Sequence, residues 1–317
     1  MLSLFISRPL PDAVLTRARA AFDTTVRDIT TPMTRDEMIA SLRDYDIVLP
    51  TLGDLYTADI FKDAGPIRSK LLANFGVGYN HIDVIAAKAH GLLVTNTPGA
   101  VTDATADTAM TLILMTARRA GEGERMLRKG AWEGWHPTQL LGMHVSGKTV
   151  GIIGMGRIGE AIAKRCHFGF GMKVVFYNRS PKTPDLPAQQ LPSIEDVARE
   201  ADILVIAVPG GAETQHLIDK DTFAAMLPHA LLINIARGEV VREAALIDAL
   251  EHGQIAGAGL DVYEFEPKVP KALTDREDVT LLPHLGTATL EVRTDMGMLA
   301  MDNVEAFARG EPPLTPV

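Results

Sequence analysis

Short apolar runs separated by amphipathic stretches recur along this chain. Residues 2–7 read as a buried strand, and residues 12–22 place Val14, Leu15, Ala18 and Phe22 at helical spacing. Thr34-Arg35-Asp36-Glu37 has the hydroxyl-x-x-acid form that opens a helix, here running to Leu42. Residues 45–49, 71–74 and 92–95 predict strands, and residues 81–90 a helix that Gly91 ends. Beyond Pro98-Gly99 the pattern over residues 103–129 predicts one long helix, followed by a loop over 130–137. The alternation resumes at Thr149. It predicts strands over 149–153, 173–177, 203–208, 231–234, 256–260 and 279–282, with helices from Ser193 and over 242–251. A last helix over 290–307 puts Val292, Met296, Leu299, Ala300, Val304 and Phe307 on one face. The proline-rich residues 311–317 predict an extended tail. Strands alternating with helices predict an α/β fold of parallel, doubly wound sheets, and 317 residues suffice for two domains.

Composition narrows the function classes. Hydrophobic residues make up 46% and charged residues 22%, as in ordinary soluble proteins. The formal net charge of −9, from 31 basic and 40 acidic side chains, argues against a nucleic-acid surface. A single cysteine, Cys166, excludes an intramolecular disulfide and implies no cysteine-based metal site. The amino-terminal residues lack a charged region followed by a long apolar core, so no signal peptide is expected. The longest apolar stretch, residues 109–117, is too short for a bilayer and contains two threonines. A cytoplasmic enzyme without membrane or nucleic-acid partners is the expectation.

Glycine spacing supplies the first chemistry. Gly154-Met155-Gly156-Arg157-Ile158-Gly159 sits between an apolar strand and a run of strong helix formers, and in that setting it is a dinucleotide fingerprint. Gly154 makes the tight turn, Gly156 lets the backbone approach a pyrophosphate, and Gly159 lets helix and strand pack closely. The helix amino terminus then faces the phosphates. An NAD site places an acid about twenty residues on, but here the strand over 173–177 ends at Asn178-Arg179-Ser180. An arginine beside a hydroxyl suits a 2′-phosphate, so NADP(H) is favoured and NAD(H) remains possible.

Three further groups follow strands of the second half: Arg237 after Asn234-Ile235-Ala236, Glu266 in Asp261-Val262-Tyr263-Glu264-Phe265-Glu266-Pro267, and His284 after Pro283. Ligands of open parallel sheets bind beyond the carboxyl ends of the strands. Arginine can grip a carboxylate through two hydrogen bonds and polarise the neighbouring carbonyl. Histidine can give a proton to a carbonyl oxygen as hydride arrives, and a carboxylate on the histidine orients the ring and favours its charged form. Such a set reduces 2-oxoacids without a metal.

Those motifs, with Pro283-His284-Leu285-Gly286 and Asn74-Phe75-Gly76-Val77-Gly78-Tyr79-Asn80-His81-Ile82-Asp83, closely resemble the D-isomer-specific 2-hydroxyacid dehydrogenase family over nearly the whole chain. The resemblance implies a Rossmann cofactor domain, residues 99–285, inserted into a flavodoxin-like substrate domain, residues 1–98 and 286–317. It implies that Arg237 binds substrate, that Glu266 supports the histidine and that His284 is the acid/base. The acid immediately before the proline matches the family's glutamate, which sets Glu264 aside. Further implied cofactor contacts are Thr105, Val208, Pro209, Thr214, Ile235, Ala236, Arg237, Asp261, His284 and Gly286, with Asp261 on the carboxamide. Leu52 and the backbone of Val77 and Gly78 would touch substrate. Within the family the glyoxylate/hydroxypyruvate reductase branch is the nearest likeness. Trp132-Glu133-Gly134-Trp135-His136-Pro137 is similar to a loop whose tryptophan, here Trp135, reaches over the neighbouring subunit's site, which implies a homodimer. The expected reaction is NADPH-dependent reduction of glyoxylate or hydroxypyruvate to glycolate or D-glycerate. Alternatives are an NAD-dependent dehydrogenase of another D-2-hydroxyacid and a dinucleotide-sensing, corepressor-like binding protein. The formate dehydrogenases of this fold carry glutamine where Glu266 stands.

Overall fold

The apolar runs form two separate parallel sheets in the computed structural model, which describes residues 1–317; the chain divides into residues 1–101 with 288–317, and residues 102–287. The first unit holds β1 (Ser3–Ile6), β2 (Asp23–Val26), β3 (Ile47–Leu49), β4 (Leu71–Ala73) and β5 (Leu93–Thr95) in the order β2-β1-β3-β4-β5, all parallel. That is the flavodoxin-like order. Its helices are α1 (Asp12–Ala21), α2 (Arg35–Asp44), α3 (Ala58–Ala64) and α4 (Val84–Ala89). Period-two alternation splits β1 between two cores: Leu4 and Ile6 pack with Val14 and Ala18, while Phe5 packs with Met38, Leu42 and Phe61. Each of these side chains larger than alanine contributes roughly 1.5–3 kcal/mol by burial.

Local chemistry sets the helix starts. Thr34 Oγ1 accepts the Glu37 N–H (3.3 Å) and Glu37 Oε2 accepts the Thr34 N–H (2.7 Å), the reciprocal cap read from the sequence. The helix predicted from residue 81 begins only at Val84, because the Asp83 carboxylate caps the Ala86 N–H (2.9 Å).

The second unit opens with α5 (Thr102–Ala117) and α6 (Ala120–Arg128), where one long helix was predicted. Arg119 breaks it with φ 51°, and Gly121 and Gly123 follow in a stretch of low helix propensity. Then come β6 (Thr149–Ile153), α7 (Arg157–Lys164), a π-helical turn (Arg165–Gly169), β7 (Lys173–Tyr177), β8 (Gln189–Gln190), α8 (Ile194–Glu200) and β9 (Ile203–Ile206). The unit continues with α9 (Lys220–Ala225), β10 (Leu231–Asn234), α10 (Glu243–Glu251), β11 (Gly257–Leu260), α11 (Lys271–Thr274) and β12 (Val279–Leu281). The sheet order is β12-β11-β10-β9-β6-β7-β8. Its order reverses direction between β6 and β9, the switch point where a dinucleotide binds in Rossmann folds. Close layering depends on Gly259, where a Cβ would lie 2.8 Å from Thr116 Oγ1 on α5.

The chain ends in the first unit with α12 (Leu290–Ala308) and the tail. The tail is extended but not loose. Asn96 N–H donates to the Thr315 carbonyl (3.2 Å), and Val317 N–H donates to the Val94 carbonyl (3.0 Å), so it lies along β5.

Candidate active site

The glycine turn carries the geometry a dinucleotide needs. Gly154 has φ 101°, and a Cβ there would press to 2.8 Å from the Ala207 carbonyl oxygen. At Gly159 a Cβ would lie 2.0 Å from the Gly154 oxygen, so no larger residue fits. Gly156 differs: a Cβ there meets nothing within 4 Å, and as the residue capping α7 it leaves the first-turn N–H groups without a side-chain partner. Open space over unpaired N–H donors fits a pyrophosphate. Met155 is buried, Arg157 exposed and Ile158 half-buried at the same turn.

Beyond β7, Asn178 Oδ1 accepts the Met155 N–H (3.1 Å) and Asn178 Nδ2 donates to the Ser180 carbonyl (2.9 Å), tying the turn to the adjoining loop. Arg179 is exposed and pairs with Glu213. Val208 and Pro209 follow β9, and Thr214 Oγ1 donates to the Pro209 carbonyl (2.7 Å). Ile235 and Ala236 are buried after β10.

The reactive groups stand beyond the carboxyl ends of β10, β11 and β12. Asn234 shapes the first loop: its Oδ1 accepts the Ala236 N–H (3.0 Å) and its Nδ2 donates to the Arg237 carbonyl (3.1 Å). Arg237 Nη1 donates to the Ala236 carbonyl (2.7 Å). Burial lowers the Arg237 pKa, against the charges of Glu239, Glu266 and Asp261. His284 Nδ1 lies 2.9 Å from Glu266 Oε2, and Glu266 Oε1 accepts the Tyr263 N–H (3.0 Å). A carboxylate only accepts, so Nδ1 carries the hydrogen and Nε2 is left for the reaction. Burial works to raise Glu266, but the His284 bond and charge, the Tyr263 N–H and the Arg237 charge outweigh it and hold the carboxyl below its ordinary value.

Asp261 supports the histidine's turn. Its two carboxylate oxygens accept the Leu285 N–H (2.6 Å) and the Gly286 N–H (2.8 Å), and its carbonyl accepts the His284 N–H (2.9 Å). Thr105 Oγ1 donates to the Gly286 carbonyl (3.2 Å). These bonds hold His284 at φ 56°, an uncommon conformation for a non-glycine residue. Asp261, the residue expected at the carboxamide, thus also braces this turn, and each of its oxygens accepts one N–H here. Burial raises its pKa against the two N–H bonds and the His284 charge.

Arg237, Asp261, Glu266 and His284 thus share one unit with the glycine turn. Leu52, Val77 and Gly78 belong to the other unit. There Asn74 Nδ2 donates to the Gly78 carbonyl (3.1 Å), Asn96 Nδ2 donates to the Val77 carbonyl (2.9 Å), and Leu52 is exposed. Trp135 stands exposed on the loop after α6, whereas Trp132 Nε1 donates to Gln139 Oε1 (3.3 Å). Sequence reasoning missed the bracing by Asn74, Asn96 and Asn234. Asn74 and Asn234 lie inside the motifs themselves, and an Asn at a strand end before an irregular loop is the available signal.

Known proteins resemble this chain over nearly their whole length. The profile described as D-isomer specific 2-hydroxyacid dehydrogenase, NAD binding domain, matches residues 110–286. A glyoxylate reductase of Thermococcus kodakarensis is 42% identical over 318 residues, spanning 98% of this chain and 95% of that protein. The structure of an NADPH-dependent glyoxylate/hydroxypyruvate reductase of Sinorhizobium meliloti, in complex with NADP and malonate, superposes with a TM-score of 0.87 at 38% identity, covering 100% of this chain and 96% of the other. D-mandelate dehydrogenase of Rhodotorula graminis superposes with a TM-score of 0.86 at 31% identity, covering 100% and 97%.

Proposed function

Because this chain belongs to the D-isomer specific 2-hydroxyacid dehydrogenase family and is an NAD(P)-dependent oxidoreductase, we propose that it reduces glyoxylate and hydroxypyruvate to glycolate and D-glycerate. The observation that carries this reading is the 2.9 Å contact of His284 Nδ1 with Glu266 Oε2 in the field of Arg237. When bound, the reduced nicotinamide supplies hydride to the 2-carbon. Arg237 grips the substrate carboxylate with two N–H groups and draws electron density from the adjacent carbonyl. His284 gives its Nε2 proton to the carbonyl oxygen, and Glu266 stabilises the ring through the transfer. Hydride and proton together convert C=O to CH–OH. Asp261 and Thr105 keep the ring aimed by fixing its turn. Leu52, Val77 and Gly78 are read as substrate contacts.

NADPH is the favoured donor. Asn178 puts no negative charge where a 2′-phosphate would sit, and Arg179 is adjacent. We read the chain as a homodimer, with Trp135 of each copy serving the other's site. In support, α6 buries none of its residues, and Leu127, Trp132, Trp135 and Leu141 are exposed. No helix is long and apolar enough to cross a membrane.

The test follows the absorbance of NADPH and of NADH with glyoxylate, hydroxypyruvate, pyruvate and a bulky 2-oxoacid. Preference for NADPH and the two small substrates is expected. Faster turnover with NADH and the bulky acid would overturn the specificity. Sedimentation velocity checks the dimer.

A further inference from the structure

A second histidine–carboxylate pair lies two residues before Glu266. His216 Nε2 is 2.6 Å from Glu264 Oε1. The other Glu264 oxygen accepts the Glu243 N–H at the start of α10 (3.0 Å), and the Glu264 N–H points back at Glu243 Oε2 (3.4 Å). His216 also joins the stretch after Arg237: its N–H donates to the Glu239 carbonyl (2.7 Å), and the Ile218 N–H donates to the Val240 carbonyl (3.0 Å). Gly238, next to Arg237, has no room for a side chain, because a Cβ would lie 1.8 Å from the Tyr263 carbonyl carbon. The Arg237 loop and the Glu266 segment therefore meet backbone to backbone, and the Glu264 carboxylate bridges the elements on either side.

We propose that Glu264, held by His216 and Glu243, is a positioning residue for the reduction, setting the Glu266 segment in register with the Arg237 loop. Packing alone does not call for this arrangement. Glu243 is buried, and burial raises its pKa, with the Glu264 charge pushing the same way against the Glu264 N–H. Apolar side chains would fill the space without that cost. What charged, bonded groups add is direction: each oxygen of Glu264 has one assigned donor. A shift of the segment would carry Tyr263 N–H and Glu266 with it, and with them the partner of His284. The proposal rests on the roles given above to Arg237, Glu266 and His284.

The test compares Glu264→Ala, Glu264→Gln and His216→Asn with wild type and with His284→Gln, using glyoxylate and the preferred reduced dinucleotide. For Glu264→Ala, kcat falls and KM for glyoxylate rises, each about tenfold, as expected for small misalignment of reacting groups. The dinucleotide Kd stays at the wild-type value. Glu264→Gln recovers part of both losses, because its amide oxygen still accepts one of the two bonds. A purely structural role would lower the active fraction, counted by dinucleotide binding, and leave KM for glyoxylate unchanged; that result overturns the proposal. If Glu264→Ala does not fold, a raised KM in Glu264→Gln or His216→Asn supports it, and wild-type kcat and KM in both overturn it. Loss of turnover in His284→Gln beside wild-type Glu264 variants removes the positioning role alone. Full turnover in His284→Gln removes the reading of the site and the proposal together.

Discussion

The two histidine–carboxylate pairs of the second unit are alike in their bonds and opposite in their surroundings. Both histidines have left-handed backbones, φ 56° at His284 and 53° at His216. Both glutamates spend one oxygen on the ring and the other on a backbone N–H. Glu266, however, faces the Arg237 cation and is held below its ordinary pKa, whereas Glu264 faces the carboxyl of Glu243, which is held above its own. The Glu264 side chain is 12% exposed and that of Glu266 32%. Two like pairs thus stand in different electrostatic settings: of the two glutamates, only Glu266 has an arginine charge among its neighbours.

The sharpest way to break the contrast is His284→Gln. Turnover should fall about 10²–10⁴-fold, the usual contribution of a placed acid, with dinucleotide affinity retained in a fluorescence titration. Arg237→Lys keeps the charge and loses the planar fork, so kcat/KM for glyoxylate should fall about 10²-fold.

Glu266→Gln sharpens the comparison through pH. A carboxyl held below 4.5 supports the histidine above that value and loses the interaction as pH falls through its lowered pKa. Wild-type kcat/KM should therefore decline on the acid side below about pH 4.5, and the glutamine variant should lack that limb. Arg179→Ala should raise KM for NADPH about tenfold and leave KM for NADH unchanged; equal effects on both would remove the 2′-phosphate assignment.

The smallest effect belongs to a carboxylate without a histidine. In the first unit, Glu37 bonds to Arg27 and caps Thr34, which hold its pKa at about 2 against an ordinary 4.5. Its stabilisation is present above pH 4.5 and fades as pH falls toward 2. Glu37→Gln should flatten acid unfolding over that interval, as read by circular dichroism, without altering turnover.

Much of this was legible in the residues. The parallel α/β character, the strand over 173–177 and the Thr34 cap follow from period, composition and one short motif. Short, polar elements were not legible: β2 is Asp-Thr-Thr-Val and β8 is two glutamines, so neither has an apolar pattern to detect. The break at Arg119 depends on a single left-handed residue inside a helical pattern. The role of Glu264 was hidden because its partners come from 48 and 21 residues away, and sequence spacing does not carry that distance.

The division of the first unit between residues 1–101 and 288–317 has a consequence for biosynthesis. Domains generally fold as units, amino-terminal first, while the chain is still being made. Here the earlier-made sheet waits for α12 to supply Ala300, Met301 and Val304 to its core and for Thr315 and Val317 to cover β5. The whole of residues 102–287 is translated in the interval. The unit begun first is thus completed after the second, and until then the faces of β1 and β4 that carry Leu4, Ile6, Leu71 and Ala73 lack their α12 partners.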